Sequence, residues 1–560
     1  MADISRVLYT AKEALLSNLT AINVTGSNIA NVNTPGYSRL RPMFESVGTK
    51  DASSAQEQVG VRIADVERIY DRFLEAQLVG QQSSVGNYTA QQDSLNSVEG
   101  ILNENNGGGI NDALGAFLNA WGNLSVEPSS ISKRNMVVTT GQNLAYAFNR
   151  RGEDLTNVQI VANDSIADTV SSLNMALQQM ADYNETIVSA ESAGTSASSV
   201  RDQRGELLKI ISGLIDVNYI EKSDGSLYIT LPANGKALVE GFNSWELEVN
   251  RNPDNNNLYD IVFSEDPSKS INDQITGGKL AGLLEVRDNL IPSYLDQLNQ
   301  TASSIINKVN ELHTAGYDQD GNPGELFFTA TADARYMQVN AEIVADTRKI
   351  AASATVNADG DNATAMTDIK NDQMYASMTI LTANVTGQVD NIGQAYKNTT
   401  SDIVLIRAAG SWTLSGTLNG GYESLTVLPS STDSSVMIDL DGVLTNGQKT
   451  ADITLNLTGT WSDGNTITFR LAKSDSTTNI DSYFNAFIAS VGQDVDNASQ
   501  ALASTTAILN QQTDQKEQLS GVSLDEEMMN LIKYQMAYGA AGRMTSTVNE
   551  LMDILINLGR

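Results

Sequence analysis

The sequence predicts an α+β multidomain chain. Long N- and C-terminal helices pair as a coiled coil, a helical bundle domain follows them, and two β-rich domains lie outermost. Three observations lead there. Apolar residues step by fours and threes near both termini, helical and alternating patterns take turns through the middle, and 560 residues exceed what one hydrophobic core organises.

The first element runs through Ile4, Leu8, Ala11, Leu15, Ile22 and Ile29, with Asn18 and Thr25 at the missing steps. That is a heptad seam rather than a strand. It should end in Asn31-Val32-Asn33-Thr34-Pro35-Gly36-Tyr37, where Pro35-Gly36 suits the centre of a type II turn. Residues 84–220 read mostly helical, with periodic apolar positions at Leu114, Phe117, Leu118, Trp121 and Leu124 and again at Val170, Leu173, Leu177 and Met180. The triplet Gly107-Gly108-Gly109 has neither the preceding strand nor the following Lys-Ser/Thr of a phosphate loop, and reads as a connection.

Near Val217 the period becomes two. Asp224-Gly225 joins residues 217–220 to 227–231 as a hairpin, and alternation at Trp245, Leu247 and Val249 continues a small β unit to Phe263. Helix returns over 280–312. A second β block over 401–471 carries turn signals at Asp441-Gly442, Asn446-Gly447 and Asp463-Gly464, and reads as an inserted sandwich or barrel. Residues 483–518 are helical again. The last helix covers 524–558, opened by a capping box of Ser523 and Glu526.

The division expected is therefore 1–45 with 520–560 as a terminal assembly domain, and 46–210 with 275–330 and 478–519 as the helical bundle. Residues 211–274 form a small β domain, 331–380 a connecting segment of unassigned structure, and 381–477 the inserted β domain. A chain that goes out through β units and returns brings its ends together. The expected assembly interface is Ile4, Leu8, Leu15, Ile22 and Ile29 with Leu524, Met528, Leu531, Val548, Leu551, Leu555 and Leu558. Small and polar residues crowd both seams, so this pair is expected to be loosely ordered alone and rigid among copies of itself.

Composition narrows the function. With 35 basic and 67 acidic side chains the net charge is −32, a poor match for nucleic acid or anionic lipid. Cys is absent and His313 is the single histidine, which excludes disulfides, thiolate chemistry and multi-histidine metal sites. No run of eighteen apolar residues suggests a membrane span, and the N-terminus lacks the apolar stretch of a cleaved signal. Residues 1–45 and 520–560 together sum to −1, so the acidity sits in the middle of the chain.

The run Asn28-Ile29-Ala30-Asn31-Val32-Asn33-Thr34-Pro35-Gly36-Tyr37 resembles the N-terminal signature of the axial proteins of bacterial flagella, and Ser38-Arg39 narrows the resemblance to the hook-associated members. Similar segments recur at Arg201-Asp202-Gln203-Arg204 and at Gly277-Gly278-Lys279-Leu280 with Arg287-Asp288, His313, Gly316-Tyr317-Asp318 and Phe327-Phe328. Others are residues 114–149, with Trp121, Arg134 and Asn149, and residues 521–527 with Tyr534-Gln535 and Leu555-Ile556-Asn557. The resemblance departs at 380–477, and at Gly539 and Gly542 where alanine is expected. It implies a structural subunit, without catalytic, cofactor or metal residues, at the junction of hook and filament. It also implies export through the flagellar type III apparatus with no cleaved signal peptide, and a cytoplasmic chaperone bound at the C-terminal helix. Outside the cell, copies would stack as a tubular layer between hook protein and hook-associated protein 3, with the 31–37 turn leading from the inner helices to the next domain.

Other readings remain open at this stage. One alternative is another flagellar axial subunit, hook-associated protein 3 or flagellin-like. An exported enzyme would use His313 as a base or Asp318-Gln319-Asp320-Gly321-Asn322 as a calcium loop. An exported surface-binding protein would act through Trp412 or Trp461 in the 381–477 insert. Against these, His313 lies on an apolar helical pattern, the aspartate loop lacks the distal Glu of an EF-hand, and two tryptophans readily fill a small β core.

Overall fold

The structure is a computed structural model that describes residues 2–47, 60–103, 108–331, 333–356, 359–372 and 479–558, together with the strands between 377 and 472 and residues 461–465. Helix α1 (Ala2–Ala30) ends in the turn at 31–37, as the sequence predicts. Two strands follow, β1 (Leu40–Val47) and β2 (Gly60–Arg68), paired antiparallel with a bulge between Met43 and Phe44. The hairpin lies along α1, where the Ser17 hydroxyl donates to the Val61 carbonyl at 2.9 Å. Sequence reading had assigned 46–71 to the helical bundle. These strands are largely solvent-facing and carry ion pairs, Arg41–Glu67 at 2.7 Å and Arg62–Glu45 at 3.1 Å, instead of an apolar alternation.

The bundle contains α2 (Arg72–Leu102), α3 (Ile110–Val126), α4 (Ile131–Ser192) and α5 (Ser198–Leu214). The Asp71 carboxylate caps α2 by accepting from the Phe73 and Leu74 amides. At 1.5 Å per residue α4 is about 93 Å long and serves as the spine. Phe117, Trp121, Phe148, Phe327 and Phe328 fill one end of its core and are fully buried.

The small β unit consists of β3 (Asn218–Glu221), β4 (Leu227–Thr230), β5 (Ala237–Glu240) and β6 (Asn243–Ser244) in one sheet, and β7 (Leu247–Asn252), β8 (Leu258–Phe263) and β9 (Asp266–Ser270) in another. The 217–231 hairpin is formed as predicted, with Gly225 at φ +88° in its turn. The unit does not stand apart. Leu227, Ile229, Val239, Leu247, Ile261 and Phe263 join the same buried cluster as the bundle. Three asparagines of α4 clip its strands: Asn163 accepts from the Tyr259 amide, Asn174 exchanges two bonds with Leu247, and Asn184 does the same with Leu227.

Helix α6 (Gly278–Glu285) passes through a π-helical turn (Val286–Leu290) into α7 (Ile291–Ala315). The buried Arg287 in that turn donates to the Tyr259 carbonyl, to Asn163 and to Asp288. The segment left unassigned by sequence, 331–380, belongs to the core over its described part up to residue 372. Short helices α8 (Ala341–Ala345) and α9 (Asp361–Ala365) alternate with 3-10 turns, and Met337, Ile343, Ile350, Met366 and Ile369 are buried. Arg134, itself buried, donates to the carbonyls of Thr347, Arg348 and Ile350 and ties this segment to α4.

The insert holds strands β10 (Ser377–Ile380), β11 (Val385–Val389), β12 (Ile403–Ala408), β13 (Ser411–Ser415), β14 (Thr426–Val427), β15 (Ser435–Asp439), β16 (Leu444–Thr445), β17 (Gln448–Lys449), β18 (Ile453–Leu457) and β19 (Thr466–Ala472). They form two four-stranded antiparallel sheets, β10-β19-β12-β13 and β11-β18-β15-β14, with β16-β17 as a separate pair. Leu405, Ile467, Val436, Ile438, Leu455 and Leu457 are buried, in keeping with the expected β core. Gly464 takes φ +97° in the turn predicted at 463–465; the turn pairs 441–442 and 446–447 lie outside the described residues. Helix α10 (Ile480–Ser520) then runs back along α2 and α7, placing Phe484, Phe487 and Val491 in the core, and α11 (Leu524–Leu558) closes the chain beside α1.

Candidate assembly interface

The seam between α1 and α11 is made of small and polar side chains. On α1 the buried positions are Ala11, Ala21, Val24, Thr25 and Asn28, with Ser17 buried against the hairpin. On α11 Glu527, Tyr534, Ala541 and Val548 are spaced by seven; Glu527, Ala541 and Val548 are buried, and Tyr534 is half-buried with its ring 5.8 Å from that of Phe44 in β1. The large aliphatics expected at the assembly interface take other places in the single chain. Leu8, Leu15, Ile22, Ile29 and Leu531 flank the seam half-buried, Val548 lies in it, and Leu524, Met528 and Leu551 are exposed. The side chains of Ile4, Leu555 and Leu558 lie outside the described residues. Periodicity located the helices correctly but selected the large aliphatics, whereas a close helix pair selects alanine, serine and threonine.

A polar clasp locks the register. Asn28 uses both ends of its amide: Nδ2 donates to the Leu40 carbonyl at 2.9 Å and to Glu527 Oε2 at 3.0 Å, while Oδ1 accepts from the Leu40 amide and the Tyr37 hydroxyl. Glu527, only 2% exposed, also accepts from Arg39 Nε at 2.8 Å and pairs with the other guanidinium nitrogen at 2.6 Å. Arg39 reaches Glu526 Oε2 at 2.8 Å, and its amide donates to the Ser520 carbonyl. Burial works against the Arg39 cation, yet Glu527 and Glu526 outweigh it and hold its pKa above the ordinary value. Glu526 is thus drawn to Arg39 rather than back to residue 523, as the predicted capping box required.

The 31–37 turn orients this clasp. Tyr37 N–H donates to the Thr34 carbonyl across Pro35-Gly36, and Gly36 has φ +78°, which is the predicted type II geometry. Asn31 bonds the Ser27 carbonyl and accepts from the Thr34 hydroxyl, while Asn33, Thr34 and Pro35 face solvent. Beyond the turn, the Ser38 amide and Arg68 Nε both donate to Asp202 of α5, at 3.1 and 2.6 Å. A second ionic knot lies beside it, with Lys516 Nζ 2.7 Å from Glu75 and Lys209 Nζ 2.8 Å from Glu206. A Cβ at residue 36 would fall 2.3 Å from Glu206 Cγ. Gly36→Ala is therefore expected to cost about 2 kcal/mol through φ strain, with displacement of Glu206 added, and thermal unfolding reads the loss.

Outside the seam both helices remain apolar. On α11 the row Met529, Ile532, Met536 and Ile554 is exposed away from the seam, and on α1 the exposed row is Tyr9, Leu16 and Leu19. A helix with apolar rows on opposite faces needs a second partner.

The alternative sites resolve into structure. His313 is fully buried beside Trp121 and Phe327; Nδ1–H donates to the Glu325 carbonyl and Nε2 accepts from the Ala351 amide at 2.9 Å. Burial lowers its pKa to about 4. Because the folded imidazole resists protonation, stability should fall as pH drops through the window from about 6.5 to 4, by up to about 3 kcal/mol. Urea titrations at several pH values should show that slope, and His313→Gln should flatten it. Asp318 accepts from the amides of Asp320 and Asn322 and from the Asn322 side chain, so the loop saturates its own carboxylate. Trp412 is buried, with its ring 5.3 Å from Trp461 in an edge-to-face pair.

Comparison with known proteins places these features. Residues 95–328 match the helical domain of the flagellar hook-associated protein FlgK. Residues 8–37 match a flagellar basal body rod protein model, and residues 517–558 match the C-terminal model of the basal body rod proteins FlgEFG. The flagellar hook-associated protein 1 of Bacillus subtilis is 27% identical, with 98% of this chain and 97% of that protein aligned. Along nearly its whole length the chain is similar to flagellar hook-associated protein 1. The Salmonella typhimurium member is 24% identical, over 99% of this chain and all of its own length. The fold is also similar to the flagellar hook junction protein FlgK from Burkholderia pseudomallei, at 18% identity and a TM-score of 0.51, covering 79% of this chain and all of that one. The two terminal matches cover the helices joined by Arg39 and Glu527, and the central match contains Asp202.

Sequence reasoning missed Asp202, Glu527 and the hairpin as members of one joint. The only signal was the placement of family-like segments around residues 38–39, 201–204 and 521–527, which mark three points that meet in space.

Proposed function

We infer that this chain is a structural subunit of the bacterial flagellum at the junction between hook and filament. The observation that carries the reading is the two-faced α11: one row is closed by α1 of the same chain, and the row of Met529, Ile532, Met536 and Ile554, turned away from that seam, is open for a neighbour. Near-full-length alignment to hook-associated protein 1 supports it.

The finer reading follows from that surface. Copies of the chain form a tubular layer through their terminal helices, with hook protein on one side and hook-associated protein 3 on the other. Before assembly, a cytoplasmic export chaperone covers the C-terminal helix, and the chain leaves through the flagellar type III apparatus. In the final extracellular position the acidic bundle and insert face solvent. Nucleic acid and membrane are not partners of a chain carrying −32; among the described residues, no helix is long and apolar enough to cross a membrane. Electron microscopy of intact flagella with the insert labelled is expected to show one narrow band where hook meets filament. Label along the shaft or at the tip, or normal swimming by cells lacking the chain, would overturn the reading.

A further inference from the structure

The chain has 15 methionines and no cysteine, so its readily oxidised sulfur is all thioether. Their placement is uneven. Met180, Met337 and Met366 are fully buried in the bundle. Four of the exposed methionines, Met528, Met529, Met536 and Met544, lie on α11, and Met529 and Met536 stand one heptad apart in the open apolar row, 64% and 66% exposed. The closed row against α1 and β1 holds Glu527, Tyr534, Ala541 and Val548, which contain no sulfur. An oxidant therefore meets the docking face of this helix and bypasses the contacts that hold the chain together.

We propose that Met529 and Met536 form an oxidation-labile assembly surface, at which hydrogen peroxide or hypochlorous acid reversibly disables the free subunit. The step is a two-electron oxidation. The thioether sulfur attacks the terminal peroxide oxygen, the O–O bond breaks, an S–O bond forms and water leaves, giving one sulfoxide per peroxide consumed. The product replaces a flexible apolar side chain with a polar, strongly accepting group at the centre of the row that must be desolvated in the assembly. Methionine sulfoxide reductases, using thiol as reductant, restore the thioether with release of water and a disulfide. In the assembled layer the row is covered, so the vulnerability belongs to the subunit before it docks. This inference rests on the reading of that row as the docking face.

The test uses the full-length purified chain, treated with dilute hydrogen peroxide, mapped by peptide mass spectrometry and offered to hooks isolated from cells that lack it. Sulfoxide should appear at Met529 and Met536 well before Met180, Met337 and Met366. Incorporation should drop at least about fivefold with unchanged helical circular dichroism, and reductase treatment should restore it. The variant carrying Met529→Leu and Met536→Leu should incorporate before and after peroxide. A control with Met136→Leu and Met175→Leu, which removes exposed methionines of α4, should stay sensitive. Full incorporation of protein that is sulfoxidised at both positions overturns the proposal, as does loss of helix on oxidation or continued sensitivity of the leucine variant. Ile532→Asp separates the two ideas: if it too incorporates normally, the docking face itself is misplaced; if it is blocked while oxidised wild type docks, only the oxidation proposal falls.

Discussion

Arg39→Ala should destabilise the terminal unit by about 3 kcal/mol and free both end helices from the bundle. Glu527 is almost completely buried, and its carboxylate is balanced by the Arg39 guanidinium and the Asn28 amide alone among the described contacts. Removing the cation leaves a desolvated anion with one neutral donor, which is the costly way to break a buried pair. The loss is local, because Arg39 joins α1, the hairpin and α11 but does not touch the aromatic core around Trp121. Hydrogen exchange should therefore speed up in α1 and α11 and in β1-β2, while α4 amides keep their protection. Arg39→Ala combined with Glu527→Gln should recover part of the stability, since the neutral amide no longer needs a counter-charge. Unchanged exchange at both ends in the single variant would mean the clasp does not hold them.

The legibility of this molecule in its sequence divides by physical cause. Helix positions, the type II turn and the 217–231 hairpin were readable because each depends on local spacing or on a residue with one special conformation, such as Gly36 at φ +78°. The seam composition was not. Large aliphatics such as Leu15, Leu551 and Met528 mark an apolar face without saying whether the partner on that face is in the same chain, and here they lie beside or opposite the closed seam. The residues that close it, Ala21, Thr25 and Ala541, are chosen for size, and in a pattern search they look like gaps. Asp202 and Glu527 were unreadable for another reason: each is defined by partners far away in sequence, Ser38 and Arg68 for one, Asn28 and Arg39 for the other. The same holds for 331–380, whose short 3-10 turns have no periodicity but whose carbonyls are collected by Arg134.

The second large effect should come from the open row of α11. Ile532→Asp combined with Ile554→Asp is expected to abolish incorporation into flagella while leaving the isolated chain folded. Both side chains are more than half exposed in the single chain, so a carboxylate there stays hydrated and the monomer loses little. In a helical layer each copy presents the same row to its neighbour, so every contact around the ring would have to bury a charge without a cation. Arg543 lies between the two sites on the same helix, but it too is exposed and one helix turn or more from either. The cost per desolvated carboxylate is several kcal/mol, repeated at each subunit contact, so the defect should be all-or-none rather than graded. Ile532→Ala with Ile554→Ala should only weaken incorporation, because it removes apolar area without introducing charge. Flagella that assemble normally with both aspartates would show that this row faces solvent in the finished structure, and the docking face would then have to be sought on Tyr9, Leu16 and Leu19 of α1.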